Sequence, residues 1–268
     1  MRPPFVRWIP YSTVVPDRLG ALPDAVLQHV LSFLPSRDAV RTCLLARRWR
    51  HQWKSVPALR ITGFDSFESG RDLNDFVNHL IILRDRTRLH ACEIEAYSEY
   101  DGRGNYSADD GSERSRYTDL WTRFDRDGED GSWLLGRLSD ITNLALIAEP
   151  QMFPVFRKDF KWCTAFNKLK TLSVNDWCVE PDFRPLLYFL QQSPSLEKLC
   201  LQLFMPYQNA EGTNRSYDTT KPFLASKYLR DVKIKCHEKD ERVHKIVKVL
   251  SSCGVPVEQI EIKINRHS

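Results

Sequence analysis

The residues that could perform chemistry in this sequence are scattered and form no recognised catalytic pattern. Cys236, His237, His244 and Cys253 are the densest group of potential metal ligands. The first two are neighbours at a predicted strand end and the others fall on or after a predicted helix, so their spacing is not that of a zinc site. Gly-x-Ser-x-Gly, phosphate-loop and His-Glu-x-x-His motifs are absent. We predict no catalytic residues, no metal, no cofactor and no enzymatic activity.

An acidic segment that starts at Asp125 has the composition of a calcium-binding loop. Its glycine, Gly128, stands at position four rather than six, and position twelve is Gly136 rather than glutamate. The calcium-loop hypothesis therefore fails, and we predict a charged, solvated loop. The surrounding residues 98–132 are rich in Gly, Ser, Asp and Arg and poor in aliphatic residues, which indicates a flexible insertion.

Composition excludes several partner classes. The 268 residues carry a net charge of +4 with 28% charged residues, a mixed surface without the basic stripe of a nucleic-acid-binding protein. A run of about 18 apolar residues is absent, so we expect no membrane partner. The seven cysteines lack any Cys-x-x-Cys pair, which favours reduced thiols in a cytoplasmic or nuclear protein. Residues 1–16 contain no apolar signal segment, and we expect a disordered leader there.

The elements that organise the chain begin with residues 17–60, where three short helices are predicted. Pro23 fits a first helical position, and Asp24 favours the positive end of a helix dipole. Apolar residues at helical spacing, ending at Pro35, predict the first helix: Val26, Leu27, Val30, Leu31 and Leu34. Ser36 is the predicted N-cap of a second helix. Its apolar residues are Ala39, Val40, Cys43 and Leu44.

A third, basic stretch carries Trp49 and Trp53 four residues apart, so they share a face, and Pro57 ends it. Three helices of this length cannot bury all of these apolar groups, because very small domains bury only a modest fraction of their surface. The pattern leaves two interpretations open. The segment is either a small helical subdomain packed on the rest of the chain or a module that docks on a partner.

The whole segment resembles an F-box, with matching motifs at Leu22-Pro23-Asp24, Val30-Leu31-Ser32-Phe33-Leu34-Pro35, Asp38-Ala39-Val40-Arg41-Thr42 and Arg47-Arg48-Trp49-Arg50. The last two are similar to plant F-box proteins that carry leucine-rich repeats. F-boxes dock on the SKP-type adaptor of cullin-based SCF ubiquitin ligases, so the resemblance implies this adaptor, and through it a cullin, as partners. The adaptor-binding residues that it implies are Leu22, Pro23, Leu27, Val30, Leu34, Pro35, Val40 and Leu45.

Beyond residue 60 one apolar spacing recurs, with apolar residues at the first, fourth and sixth positions. The triplets are Leu89/Cys92/Ile94, Ile141/Leu144/Leu146, Leu169/Leu172/Val174, Leu196/Leu199/Leu201, Leu229/Val232/Ile234 and Val257/Ile260/Ile262. From the second triplet onward the starting positions repeat with nearly the period of a leucine-rich repeat, about 20–29 residues, stretched once. Helical spacing appears at residues 76–81, 183–190 and 243–250.

Each unit therefore combines a helix with a short strand. We predict an α/β fold in which a three-helix F-box precedes a short leucine-rich-repeat solenoid of stacked units. An ordinary α/β domain with parallel strands would show the same alternation, and this alternative stays open. Residues 166–172 and 193–199 are similar to repeats of plant F-box/leucine-rich-repeat proteins, and residues 223–264 are similar to their FBD-type segment.

These resemblances predict the domain organisation and the function. We expect the leader at 1–16, the F-box at 17–60, the repeats at 61–222 with the insertion at 98–132, and an FBD-like cap at 223–264. The predicted function is that of the substrate-recognition subunit of an SCF-type E3 ligase. An adaptor-binding scaffold or decoy without a substrate, as a truncated family member would be, is the alternative, and a hydrolase is favoured only by the alternation of elements. Outward-facing strand positions predict substrate contacts at Thr171, Ser173, Lys198, Lys233 and Glu261.

Overall fold

The computed structural model describes residues 19–62, 70–85, 87–96, 138–148, 165–179, 183–203 and 225–265. The described helices are α1 Asp24–Leu31, α2 Ser36–Arg41, α3 Gly70–Leu83, α4 Arg184–Gln192 and α5 Glu241–Ser252. Short 3-10 helices span Thr42–Leu44, Arg47–Ser55, Asp176–Cys178 and Val257–Gln259. The strands are β1 Ala58–Ile61, β2 Ala91–Ala96, β3 Asn143–Ala148, β4 Thr171–Asn175, β5 Lys198–Leu203, β6 Asp231–Cys236 and β7 Ile260–Ile264.

The strands form one seven-stranded sheet in which neighbours follow the chain order from β1 to β7 and every pair is parallel. All six predicted triplets contribute a strand to it. Their second members align across β2 to β7 as one row: Cys92, Leu144, Leu172, Leu199, Val232 and Ile260. Their third members align as a second row: Ile94, Leu146, Val174, Leu201, Ile234 and Ile262.

The two rows form the core of the sheet. From β2 to β6 their side chains are at most 3% exposed. Helices α4 and α5 pack into the same cluster through Leu186, Phe189, Val243 and Ile246. The predicted helical spacing at 76–81, 183–190 and 243–250 corresponds to α3, α4 and α5, with Phe183 immediately before α4. The fold is therefore mixed α/β with a parallel sheet, as predicted.

β1 is a strand that the sequence analysis did not identify. It begins directly after Pro57, where the third predicted helical stretch ends, and runs past residue 60. Leu59 and Ile61 extend the two buried rows by one strand. The spacing that marks the other strands is present here too, at Val56, Leu59 and Ile61. The helical N-terminal segment therefore leads directly into the sheet.

Three local predictions in the N-terminal segment are corrected. Pro23 is the N-cap of α1 rather than its first residue, and α1 ends at Leu31. Ser36 is not an N-cap: Pro35 holds that position, and the Ser36 hydroxyl accepts the N–H of Arg60 at 3.0 Å. The third helical stretch is a 3-10 helix.

Buried polar contacts join the units of the sheet. The Asn175 side chain donates to the Ala148 carbonyl at 2.7 Å and accepts the Ala148 N–H at 2.9 Å. The Trp177 indole donates to the Leu146 carbonyl at 3.0 Å. Arg242 donates to the Asp176 carboxylate at 2.6 Å, and both side chains are at most 5% exposed. These contacts satisfy polar groups that would otherwise be costly to bury.

The predicted leader at 1–16 and the predicted insertion at 98–132 lie outside the described residues. Among the helices that are described, none has the length and apolar character needed to cross a bilayer.

Candidate protein-docking site

The N-terminal segment has a buried apolar interior. Leu27 and Leu31 of α1 pack in the same core cluster as Ala39 of α2 and both tryptophans of the 3-10 helix. Trp49 is 7% and Trp53 is 9% exposed, so both rings are buried in this interior. Their predicted common face rested on α-helical spacing, whereas the segment is a 3-10 helix with three residues per turn. This interior gives the short helices a fixed arrangement although they are too short to be stable alone.

Above this interior the segment exposes large apolar side chains. Six of the eleven exposed large hydrophobic residues in the described part of the chain lie between residues 19 and 45: Leu19 (58%), Val26 (41%), Val30 (43%), Phe33 (62%), Leu44 (84%) and Leu45 (72%). We call these six residues the docking surface. Single exposed apolar residues are ordinary, but a concentration in one small segment is typical of an interaction site.

The eight predicted adaptor-binding residues divide into three groups. Pro23, Val30 and Leu45 are exposed. A half-buried group forms the margin of the docking surface: Leu22, Leu34, Pro35 and Val40. Leu27 is fully buried, so in this conformation it supports the surface from within instead of facing a partner.

Helix periodicity explains the buried position of Leu27 and the exposed position of Val26, which was not among the predicted residues. Residues four apart share a helix face, so Leu27 and Leu31 point inward together, whereas Val26 and Val30 point outward together. Leu19, Phe33 and Leu44 also belong to the exposed set and were not predicted. The apolar pattern of α1 is wide enough to contain both faces, and only the packing of the tryptophans separates them.

A polar clamp fixes the start of α1. The Arg48 guanidinium donates to the carbonyls of Gly20 and Leu22 and, at 2.8 Å, to the Asp24 carboxylate. The hydrogen bond from Arg48 lowers the pKa of Asp24, with a smaller contribution from Gln52. The clamp thereby holds the backbone of residues 20–24 against the 3-10 helix and fixes the margin of the docking surface at Leu22.

A second polar group joins the docking segment to the sheet. The Arg60 backbone N–H reaches Ser36, and its guanidinium donates to the Ser32 carbonyl at 3.1 Å and pairs with Glu93 of β2. Ser32 and Ser36 are buried. Because Arg60 contacts both parts at once, the docking surface is held in a fixed orientation to β1 and β2.

Basic side chains lie beside the docking surface. Arg41 is exposed and pairs with Asp38 at 3.2 Å. Arg47 and Arg50 are exposed, and neither has an ion pair with another described residue. Two unpaired cations beside exposed leucines favour a partner whose surface combines apolar and acidic groups.

The outer face of the sheet brings the five predicted substrate-binding residues onto adjacent strands. Thr171 lies beside Lys198 across β4 and β5. Ser173 lies in a row that continues through Cys200 and Lys233 to Glu261. Lys198 and Glu261 are exposed, and the other three are half-buried.

Local contacts on this face are polar. Lys233 pairs with Asp231 at 3.0 Å, and this hydrogen bond raises the pKa of Lys233. Gln202 donates to the Ser173 hydroxyl at 3.2 Å.

Two fully buried cysteines of the described residues, Cys92 and Cys178, have the properties of structural residues. Burial raises the pKa of Cys92 to about 12 and raises that of Cys178 well above its usual value, so both thiols stay protonated at neutral pH. Within the described ranges, Asp, Glu, His and Cys form no group of three or more that could hold a metal ion.

Comparison with known proteins agrees with this geometry. The family model of the F-box domain matches residues 19–60, the segment that carries the docking surface. An F-box/LRR-repeat protein of Arabidopsis thaliana is 47% identical over 86 residues, which cover 28% of this chain and 19% of that protein. A second is 32% identical over 85 residues, or 32% of this chain and 14% of the relative.

An F-box/FBD/LRR-repeat protein of the same plant is 30% identical over 89 residues, or 31% of this chain and 20% of that protein. The chain thus carries an F-box domain. It is similar to plant F-box proteins of the leucine-rich-repeat and FBD type, which confirms the predicted resemblance. The chain spans at most about a fifth of the length of these three relatives.

Proposed function

We propose that this chain is the substrate-recognition subunit of an SCF-type E3 ubiquitin ligase. In this proposal the F-box binds an SKP-type adaptor, and through it a cullin, while the outer face of the sheet binds a protein substrate. The observation that carries the proposal is the docking surface: six exposed apolar side chains between residues 19 and 45, above a packed interior, in the segment that matches the F-box. Burying apolar surface in a partner is the main favourable term in such association.

We also propose that the sheet and its helices are a leucine-rich-repeat array. Three features support this interpretation: the strands follow one another in chain order, all are parallel, and their apolar residues align in two rows. A doubly wound α/β domain reverses its strand order at a switch point, where ligands bind. The consecutive order of β1 to β7 favours stacked repeats, in which each unit contacts its neighbours.

The mechanism of such a subunit is proximity. The chain supplies no nucleophile or base in this proposal; it holds a substrate beside a ubiquitin-loaded partner and raises the effective concentration of the acceptor lysine. The Arg60 contacts that connect the F-box to β1 and β2 serve this role, because proximity requires a fixed distance between the two binding surfaces. Such a subunit acts in the cytoplasm or the nucleus, where its cysteines stay reduced.

The first experiment tests adaptor binding. Changing Leu44→Lys together with Leu45→Lys places two charges at the two most exposed residues of the docking surface, and we expect co-purification with an SKP-type adaptor to be lost. The matched control is Ile82→Lys with Leu83→Lys, a pair of adjacent exposed aliphatic residues on α3. This control should bind normally. Equal binding by both variants would exclude the docking surface as the adaptor site.

The second experiment separates the substrate receptor from the scaffold or decoy. Proximity labelling under proteasome inhibition should identify proteins that accumulate with the wild-type chain and not with the Leu44/Leu45 variant. Their half-lives should lengthen when the chain is removed. Adaptor binding without any such protein would favour the scaffold or decoy.

A further inference from the structure

The last strand of the sheet, β7, has a less covered inner face than the strands before it. The equivalent apolar residues of β2 to β6 are at most 3% exposed, whereas Ile260 and Ile262 are half-buried and Ile264 is 44% exposed. Val257, in the turn just before the strand, is 56% exposed. We call β7 together with Val257 the terminal edge. It continues the apolar core to the end of the sheet.

The backbone of β7 presents hydrogen-bonding groups at the same edge. The Asn265 N–H donates to the Cys236 carbonyl at 2.9 Å, which orients the backbone of Asn265 towards β6. N–H and C=O groups alternate sides along a strand, so Glu261 and Lys263 also point their backbone groups at β6. Ile260, Ile262 and Ile264 therefore direct their backbone groups away from β6, to the side of β7 on which no other strand of the described residues pairs.

The opposite edge of the sheet is closed differently. At β1 the Arg60 N–H donates to the Ser36 hydroxyl, so the F-box contacts that edge directly. Natural sheets usually protect an edge strand by covering it or by placing charges on it, because an uncovered edge pairs readily with another strand. The terminal edge has charges at Glu261 and Lys263. Their arrangement along β7 favours antiparallel pairing with a second copy of the same strand.

The sequence of β7 is Ile-Glu-Ile-Lys-Ile, which is self-complementary when reversed. In an antiparallel pair of two such strands centred on Ile262, that residue lies opposite its own copy and Ile260 lies opposite Ile264. Glu261 then lies opposite Lys263 in both symmetry-related positions. Opposite charges and β-branched residues facing each other across two strands are stabilising pairs.

We propose that the terminal edge is a homodimer interface, in which β7 pairs antiparallel with β7 of a second copy about a two-fold axis through Ile262. An interface of this kind must be complementary to itself, and the strand meets that requirement in backbone groups, apolar residues and charges. The sheet then continues across both copies, and the exposed side chain of Ile264 gains Ile260 of the second copy as an apolar neighbour.

The register follows from the same residues. Centring the two-fold axis on Glu261 or on Lys263 would still pair the outward backbone groups of the isoleucines, but it would place that charged residue opposite its own copy, which is a destabilising like-charge pair. Centring it on Ile260 or Ile264 would place Glu261 opposite Gln259 or Lys263 opposite Asn265, and neither pair joins opposite charges. The contact is small, so we expect a reversible dimer at the weak end of the range of protein interfaces.

Sedimentation velocity of the full chain over a range of concentrations tests the proposal. The wild-type chain should change from monomer to dimer as its concentration rises. Lys263→Glu places glutamate opposite glutamate at both symmetry-related positions and should weaken the dimer by about tenfold or more. The control Lys248→Glu makes the same charge change at an exposed position of α5 and should not alter dimerisation.

A mixing experiment makes the test independent of any single variant. The Glu261→Lys chain and the Lys263→Glu chain should each be mainly monomeric, because each faces its own copy with like charges. Mixed together they regain both opposite-charge pairs and should form a heterodimer. Glu261 and Lys263 are exposed, so both chains should keep the circular dichroism spectrum of the wild type.

Three results would overturn the proposal. The first is a wild-type chain that stays monomeric at every concentration. The second is a dimer that both single variants leave intact. The third is a dimer that Leu45→Lys abolishes while Lys263→Glu does not, because that result assigns self-association to the docking surface of the F-box. Adaptor binding is measured separately and does not enter this test.

Discussion

The F-box segment and the sheet contain the same apolar residue types, but several of these side chains are exposed in the F-box whereas those of the sheet are buried. Leucines of β4 and β5 such as Leu172 and Leu199 are at most 1% exposed, whereas Leu44 and Leu45 of the F-box are 84% and 72% exposed. The sheet stacks similar units, so each strand covers its neighbour. The F-box helices bury an interior around Leu27 and Leu31, but they are too short and too few to cover all of their apolar side chains. The exposure of these apolar side chains, and not their residue type, therefore distinguishes the proposed docking segment from the sheet.

The ion pairs of the two regions also differ in burial: the pair in the sheet is buried and the pair in the F-box is exposed. The sheet is fixed by a buried ion pair, Asp176 with Arg242, across 66 positions of sequence. The F-box is fixed by Arg48 and Asp24, whose side chains are 38% and 59% exposed. Water competes for the second pair and not for the first, so their contributions to stability should differ widely.

The largest effect is expected from breaking the buried pair. Arg242→Ala leaves the Asp176 carboxylate buried without its cation, and the free energy of unfolding should fall by about 3–5 kcal/mol. Urea denaturation of the purified chain measures this. A fall well under 1 kcal/mol would mean that water reaches Asp176. The ion pair of the sheet would then be as accessible to solvent as the Arg48–Asp24 pair of the F-box. Lys245→Ala, which removes an exposed partner of Glu241 on the same helix, is the matched control.

The second prediction compares one leucine from each region. Leu199→Ala in β5 should lower the free energy of unfolding by about 2–5 kcal/mol, because it leaves a cavity in a closely packed row. Leu45→Ala should change stability by less than about 0.5 kcal/mol, because its side chain already contacts solvent. The affinity for the adaptor should change in the reverse order: Leu45→Ala should weaken binding more than Leu199→Ala does. Equal stability effects would remove the distinction between the two regions.

Sequence reasoning located the sheet well because its signal is repeated. The second and third members of the six triplets fall in two aligned rows. It missed β1, although Val56, Leu59 and Ile61 have the same spacing, because the resemblance to an F-box assigned those residues to a helical module. A single occurrence of the spacing carries little information without its neighbours. Only the pairing of β1 with β2 identifies it as part of the array.

The docking surface was predicted less completely, for a physical reason. Val26, Leu27, Val30 and Leu31 occupy more than one face of α1, and the sequence does not say which face the tryptophans cover. Ser36 has the residue type of an N-cap, but Pro35 holds that position and the hydroxyl binds the distant Arg60 instead. Long-range contacts of this kind depend on the tertiary arrangement, which local patterns do not contain.

The third prediction concerns the clamp of the F-box. Arg48→Ala removes the donor to Asp24 and to two carbonyls, and we expect a loss of stability of about 1 kcal/mol, since the site is exposed. The folded pKa of Asp24 is lowered, so its contribution is present above the unfolded pKa of about 3.9 and is lost as the pH falls through the folded pKa. Thermal melts of wild-type and Asp24→Asn chains should therefore differ at pH 7 and converge at strongly acidic pH. A difference that persists in acid would contradict this.

The smallest effect on folding, and the most specific effect on function, is expected on the outer face of the sheet. Lys198 is exposed, and Lys233 lies one strand away beside Asp231. Reversing both charges, Lys198→Glu with Lys233→Glu, should shift the thermal midpoint by no more than about 2 °C, because exposed substitutions seldom change stability. Adaptor binding should be unchanged.

Substrate capture should nevertheless fall, because the proposed partner surface would meet two like charges where it met two opposite ones. The half-life of a labelled substrate, followed after synthesis is stopped, measures the effect. Lys198→Gln with Lys233→Gln removes the charges without adding repulsion and should give an intermediate result. If degradation proceeds at the wild-type rate in both double variants, the substrate binds elsewhere on the chain. The comparison would then place a second functional surface outside the row of Ser173, Cys200, Lys233 and Glu261.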